Sequence, residues 1–178
     1  MQAAGGTALN RGWRLFALGL WLVGLAVDQC TKLAALAWLQ PHDPGDWFAG
    51  VLRLHLIFNP GAAFGMGEGA TVLFTVFAFV ATAVCLGWAL PRVRRGWHAV
   101  VLGLLLAGIT GNLVDRVMRP PSLLHGHVVD FIQIRWFAIV NVADVCITVA
   151  ALLLVLASLT DGRRPNEAPE SAVEERLA

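Results

Sequence analysis

At 178 residues the chain has the length of one compact domain. Hydrophobic residues make up 57% and charged residues 14%, with a mean hydropathy of +0.68; a soluble domain carries roughly 25% charged residues, so a water-soluble protein is excluded. A net charge of +1 without a basic, aromatic-interleaved run excludes nucleic acid as partner, and Cys30, Cys85 and Cys146, without a CxxC pair, encode neither disulfide nor zinc site.

Arg11 and Arg14 precede an apolar run, Leu15–Val27, of 13 uncharged residues; reading on through Asp28 and Lys32 gives a first span over about 15–39. Ala35-Leu36-Ala37 resembles a signal-peptidase cleavage site, but Asp28 and Lys32 lie before it, so the span is read as retained. Val27-Asp28-Gln29 before Cys30 is no lipidation motif. Asp28 and Lys32, spaced i, i+4, share a helix face and read as a structural ion pair, with a functional role as the alternative.

Residues 40–70 are too many for a plain connector. Within them Val51–Phe58 alternates, with Leu52, Leu54, Leu56 and Phe58 facing one way and Arg53 and His55 the other, which predicts a half-wet strand. Gly61, Gly65, Gly67 and Gly69 then break any helix. A second span over 71–90 has 20 residues and no charge, enough to cross a hydrocarbon core of about 30 Å. The third, over 97–115, opens on interfacial Trp97 and ends in Asp115-Arg116, a pair that pins the helix end or takes part in chemistry. His127–Trp136 suggests a second short strand. His125-Gly126-His127 lacks an accompanying HExxH helix, so no metal site is expected. The fourth span, over 136–160, carries one charge, Asp144, which a start near Trp136 places about two turns (roughly 10–12 Å) into the helix. Asn141 then shares its face. Residues 161–178 read as a disordered cytoplasmic tail.

Arg11, Arg14, Arg92, Arg94, Arg95, Arg163, Arg164 and Arg176 fall on one side, eight of thirteen basic residues, so both termini are expected in the cytoplasm. Asp130 then lies in the outer segment, fourteen residues before Asp144. Two neighbouring carboxylates cannot both ionise easily, so such a pair holds a water between an acid and a base, as in aspartic proteases. Spacing alone leaves a rival open: a small transporter or proton-relay protein using Asp28, Asp115 and Asp144. No repeat relates the two halves, as many transporters would show.

Five short pieces, in order along Arg14–Leu159, carry a family resemblance: Asp28-Gln29-Cys30-Thr31-Lys32, Asn59-Pro60-Gly61-Ala62-Ala63-Phe64-Gly65, Gly108-Ile109-Thr110-Gly111-Asn112-Leu113-Val114-Asp115-Arg116, Val128-Val129-Asp130-Phe131-Ile132 and Asn141-Val142-Ala143-Asp144. With them the chain resembles bacterial lipoprotein signal peptidase, the type II signal peptidase. The resemblance implies four membrane helices with a small extracytoplasmic β-sheet, and an aspartic endopeptidase that cleaves diacylglyceryl-modified prolipoproteins before the lipidated cysteine. It implies a catalytic pair of Asp130 and Asp144. Asn59, Asn112 and Asn141 would line the site or contact substrate, supported by Asp28, Lys32, Asp115 and Arg116. No cofactor or metal is implied. The partners expected are lipidated prolipoproteins and membrane lipid, and the chain is expected as a monomer in the cytoplasmic membrane with its site near the outer face. Two departures stand out: Ala107 where many members have a second glycine before Gly108, and a short Asp130–Asp144 separation, expected to trim the loop between them.

Overall fold

A computed structural model describes residues 3–40, 45–47, 51–61 and 70–161, without the side chains of 3–8, 45–47 and 161. The expected tail beyond Asp161, Gly65, Gly67, Gly69 and the second half of the Asn59–Gly65 motif lie outside the described residues. The elements are α1 (Ala3–Trp38), β1 (Gly45–Trp47), β2 (Leu52–Asn59), α2 (Thr71–Val84), α3 (Gly96–Met118), β3 (Val128–Ile134), β4 (Ile139–Val140) and α4 (Val142–Asp161). Among the described residues, four helical stretches are long and apolar enough to cross a membrane: Leu9–Trp38, Thr71–Arg92, Gly96–Met118 and Val142–Thr160.

α2 runs on through a π-helical turn, Cys85–Ala89, and a 3-10 turn, Leu90–Arg92, where Pro91 withdraws a backbone donor. Leu73, Phe77 and Val80 stay exposed along it, the apolar surface a lipid-facing helix presents. At the far end of the bundle Arg14 Nη2 donates to Pro91 O, and Trp13 packs on Gly96. The arginines in the first turns of α1 and those between α2 and α3 therefore share one end, opposite the sheet.

α3 is the central helix, packed against α1, α2 and α4. Gly103, Ala107 and Gly111, four apart, form a small-residue stripe that lets helices approach closely. A Cβ on Gly111 would lie 2.6 Å from Asp28 Oδ2 and 3.0 Å from Ala143 Cβ; one on Gly108 would lie 2.4 Å from Ala143 O. Both glycines are thus required by contact with α1 and α4. Ala107 is accommodated by Gly24, where an added Cβ would sit 2.7 Å from Ala107 Cβ.

The sheet is antiparallel in the order β1-β2-β3-β4. The simple alternation expected of Val51–Phe58 is broken. Leu54 pairs with Ile132 but Ile57 pairs with Asp130, so β2 holds one extra residue at His55–Leu56. Such a bulge reverses the facing of everything after it. Leu52, Leu54, Ile57 and Asn59 share the face that carries Asp130, while Leu56 is buried on its own and Phe58 is 46% exposed.

The fourth span also differs from expectation. Helix begins at Val142, because Trp136-Phe137-Ala138 turns the chain and Ile139–Val140 pairs back onto β3. Asp144 therefore stands in the first turn of α4 and not two turns in. At the hairpin tip Trp136 has φ 64° and is 89% exposed, with the Arg135 guanidinium 5.0 Å from its ring centre. A left-handed backbone costs an L-residue about 1–2 kcal/mol, and an exposed cation–π contact returns about 0.5–1. Trp136→Gly is accordingly expected to raise the unfolding midpoint of the micelle-solubilised protein slightly; a clear fall in a thermal melt would contradict this.

Candidate active site

Asn141 and Asp144 form a capping box at the start of α4. Asn141 Oδ1 accepts from Asp144 N at 3.0 Å and Asp144 Oδ2 accepts from Asn141 N at 3.1 Å, so two otherwise orphaned backbone donors are satisfied reciprocally. A third, Ala143 N, donates to Asp28 Oδ1 of α1 at 2.8 Å. The helix start that aims Asp144 is therefore held both locally and from another helix. The box Asn-x-x-Asp before an apolar run was the signal in the sequence that α4 starts at Val142.

Asp130 sits mid-β3, 3% exposed. Its Oδ2 accepts from Asn59 Nδ2 at 2.9 Å and its Oδ1 from Asn141 Nδ2 at 2.7 Å. The β2 bulge makes the first bond possible by turning Asn59 onto the face of Asp130. Asn141 joins the two carboxylates, giving its side chain to Asp130 and its backbone N–H to Asp144.

The orientation of each amide follows from partners that can only donate. Lys32 Nζ lies 3.0 Å from Asn112, so that atom is Oδ1, and Asn112 Nδ2 is left to donate to Asp144 Oδ1 at 2.8 Å. Gly61 N fixes Asn59 Oδ1 at 3.0 Å, and Asp144 N fixes Asn141 Oδ1. Asn141 Nδ2 also reaches Asn112 Oδ1 at 3.0 Å. Every oxygen of Asp130 and Asp144 thus accepts one N–H.

Beneath this layer Lys32 bridges Asp28 at 2.9 Å and Asp115 at 2.8 Å, all three side chains fully buried. Asp115 Oδ2 accepts from Val129 N at 3.2 Å, beside Asp130, just as Asp28 accepts from Ala143 N, beside Asp144. Each site aspartate has a neighbour whose N–H is gripped by one of two carboxylates, and one ammonium joins those two. The Asp115–Arg116 pair expected at the end of α3 is not the partnership formed. Adjacent helical residues diverge by about 100°. Asp115 turns to Lys32 and to Arg119 at 2.6 Å, whereas Arg116 turns toward the site and donates to Gly61 O at 2.9 Å. Sequence reasoning missed Arg119, which its i, i+4 spacing from Asp115 signalled, and Gln29, whose Nε2 donates to Asp28 Oδ2 and Gly111 O at 3.1 Å each.

Asp130 and Asp144 line one cavity of about 310 Å³, together with Asn59, Asn112 and Arg116. Its remaining wall includes Phe137, Ile139, Ile147 and Thr148, none of them singled out from sequence. Burial, and then the charge of Asp144, push the Asp130 carboxyl up to about 7, against the lowering effect of the Asn59 and Asn141 hydrogen bonds and of Lys32. At neutral pH the pair can therefore present one proton and one negative charge, an acid and a base in one cavity. His125 and His127, the weak metal candidates, lie in the loop after α3 and outside this cavity.

Among the described residues, four helices long and apolar enough to span a membrane carry Asp130 and Asp144 together at their sheet-bearing end. The family model described as signal peptidase (SPase) II matches residues 20–160, and the chain belongs to that family. It is 44% identical over 139 residues to the lipoprotein signal peptidase of Rhodococcus jostii, covering 77% of this chain and 69% of that one. To that of Mycobacterium leprae it is 40% identical over 158 residues, covering 84% and 77%. A solved structure described as a bacterial membrane enzyme superposes with a TM-score of 0.76 at 25% identity, over 85% of this chain and 92% of that one. A second gives 0.70 at 26%, over 82% and 93%.

Proposed function

We propose that the chain removes the signal peptide from diacylglyceryl-modified prolipoproteins, cleaving before the lipidated cysteine, with Asp130 and Asp144 as the catalytic pair. The observation that carries this is the joining of two carboxylates through Asn141 in one cavity. Asp144 takes a proton from water, whose oxygen attacks the scissile carbonyl carbon. Asp130, the member lifted toward neutral pH, gives its proton to the carbonyl oxygen. Collapse of the tetrahedral intermediate breaks the C–N bond: Asp144 gives its proton to the leaving nitrogen while a hydroxyl of the intermediate returns one to Asp130, which restores the singly protonated pair. Asn59, Asn112 and Asn141 set the direction of each carboxylate; Asp28, Lys32, Asp115 and Arg116 hold the elements that carry them.

Residues 1–160 form the peptidase domain of a monomer, both termini are cytoplasmic, and the cavity opens near the outer membrane surface among lipid. The arginine-bearing end of the bundle supports that orientation. The relay alternative is not favoured, since Asp28 and Asp115 are closed off by Lys32. Purified protein in lipid, given a diacylglyceryl-modified prolipoprotein, is expected to produce a mobility shift on a gel. Ion flux in liposomes without cleavage would overturn the reading.

Activity needs the singly protonated pair, so rate against pH should be bell-shaped, its limbs belonging to the coupled pair. With Asp130 raised to about 7, the alkaline limb should begin near neutral pH, where the shared proton is lost. A strong chelator and serine-acylating reagents should leave the rate unchanged. A flat profile, or loss on chelation restored by zinc, would remove the mechanism.

A further inference from the structure

We infer that the substrate's scissile segment binds as an added β-strand along the outer edge of β4, through the backbone of Ile139; this rests on the peptidase reading above. β4 is the last strand of the sheet order. Ile134 N donates to Ala138 O at 3.0 Å, and Gln133 stands opposite Ile139. In an antiparallel ladder that register sends the bonds of Ala138 and Val140 inward to β3 and turns the N–H and C=O of Ile139 outward. Among the described residues no strand lies against that edge. Ala138, Ile139 and Val140 all line the cavity that holds Asp130 and Asp144, and Val140 directly precedes the Asn141 cap. A strand beside β4, about 4.8 Å away, would therefore run past both carboxylates.

The chemistry of the substrate supplies the need for such an edge. A membrane-embedded apolar segment satisfies its amides as a helix, which shields the scissile carbonyl from a water nucleophile. Unwinding it frees N–H and C=O groups that have no water to bond near the hydrocarbon, each costing several kcal/mol. An edge residue offering one donor and one acceptor replaces those lost bonds at the site of cleavage. Strand addition is the recurring means by which an open sheet edge takes an extended peptide. Recognition through the main chain also suits an enzyme whose substrates differ in side chains. Ile139 is thus a positioning residue.

The decisive experiment scans a synthetic lipidated substrate peptide with single backbone N-methyl groups, using the wild-type protein. We expect one amide besides the scissile one to be sensitive, with KM raised about tenfold for a lost hydrogen bond while its two neighbours tolerate the methyl group. On the protein side, Ile139→Pro deletes an N–H outside the ladder, a position edge strands tolerate. It should raise KM about tenfold further than Ile139→Ala, which also removes the isoleucine side chain from the cavity wall but keeps the N–H. A flat methylation profile, or equal effects of proline and alanine in variants that melt like wild type, would overturn strand addition alone. Failure of the wild-type protein to cleave any lipidated precursor would overturn it together with the peptidase reading.

Discussion

Asp130→Asn and Asp144→Asn are each expected to lower turnover by about 10³-fold or more, the scale of a lost general acid or base. An amide keeps the volume but can neither share a proton nor accept one from water. The two variants should part company in stability. Asp130 has a folded-state pKa of about 7 against 3.8 for the free side chain, so its ionised form is disfavoured by folding. The folded protein binds more protons than the unfolded chain between those values, and wild-type stability falls as pH rises from about 4 to 7. That difference corresponds to about 4 kcal/mol. Asp130→Asn removes this dependence. It also leaves one of the two amide donors of Asn59 and Asn141 facing an NH₂ group, at a cost of about 1–3 kcal/mol. The variant should thus be the less stable protein at pH 4 and gain on wild type steadily toward pH 8. Thermal melts of both proteins across that range check the slope. Parallel curves would show that Asp130 is not the member driven toward neutrality, and wild-type-like turnover in either variant would remove that residue from the catalytic pair.

Composition and uncharged run lengths made the four spans legible, because a bilayer imposes length and apolarity with little reference to the rest of the chain. The strand of β2 was legible as well, but not its faces. A bulge is set by pairing with β3, and no local pattern in Leu52–Asn59 announces it, although it brings Asn59 to Asp130. The start of α4 was misplaced for a different reason. Trp136–Val140 is as apolar as a membrane helix, so hydropathy continued the span across a hairpin, while the capping box at Asn141 pointed to the true boundary. The pairing of Lys32 with Asp28 could be read from i, i+4 spacing. Its second partner, Asp115, lies 83 residues away, and that contact depends on Gly111 letting α1 close on α3.

That long-range contact carries the other large expected effect. Lys32→Met should lower the melting temperature sharply and suppress turnover, because it leaves Asp28 and Asp115 buried and facing each other with Arg119 as the remaining cation of the cluster. Removing one partner of a buried ion pair costs about 3–5 kcal/mol, and here a single ammonium serves two carboxylates and Asn112 besides. The damage should reach both site aspartates, since Asp28 holds the N–H next to Asp144 and Asp115 the N–H next to Asp130. Charge counting gives a second variant that separates electrostatics from packing. Lys32→Met combined with Asp28→Asn restores neutrality, with Asp115 and Arg119 paired and an amide oxygen still able to accept from Ala143 N. The double variant is expected to unfold at a higher temperature than Lys32→Met alone, though below wild type, and to remain poorly active because Asn112 has lost the donor that fixes its amide. Melting in lipid-like detergent, with turnover on the same samples, checks both. If the double variant is no more stable than the single one, the ammonium matters through its packing and hydrogen bonds and not through the balance of charge.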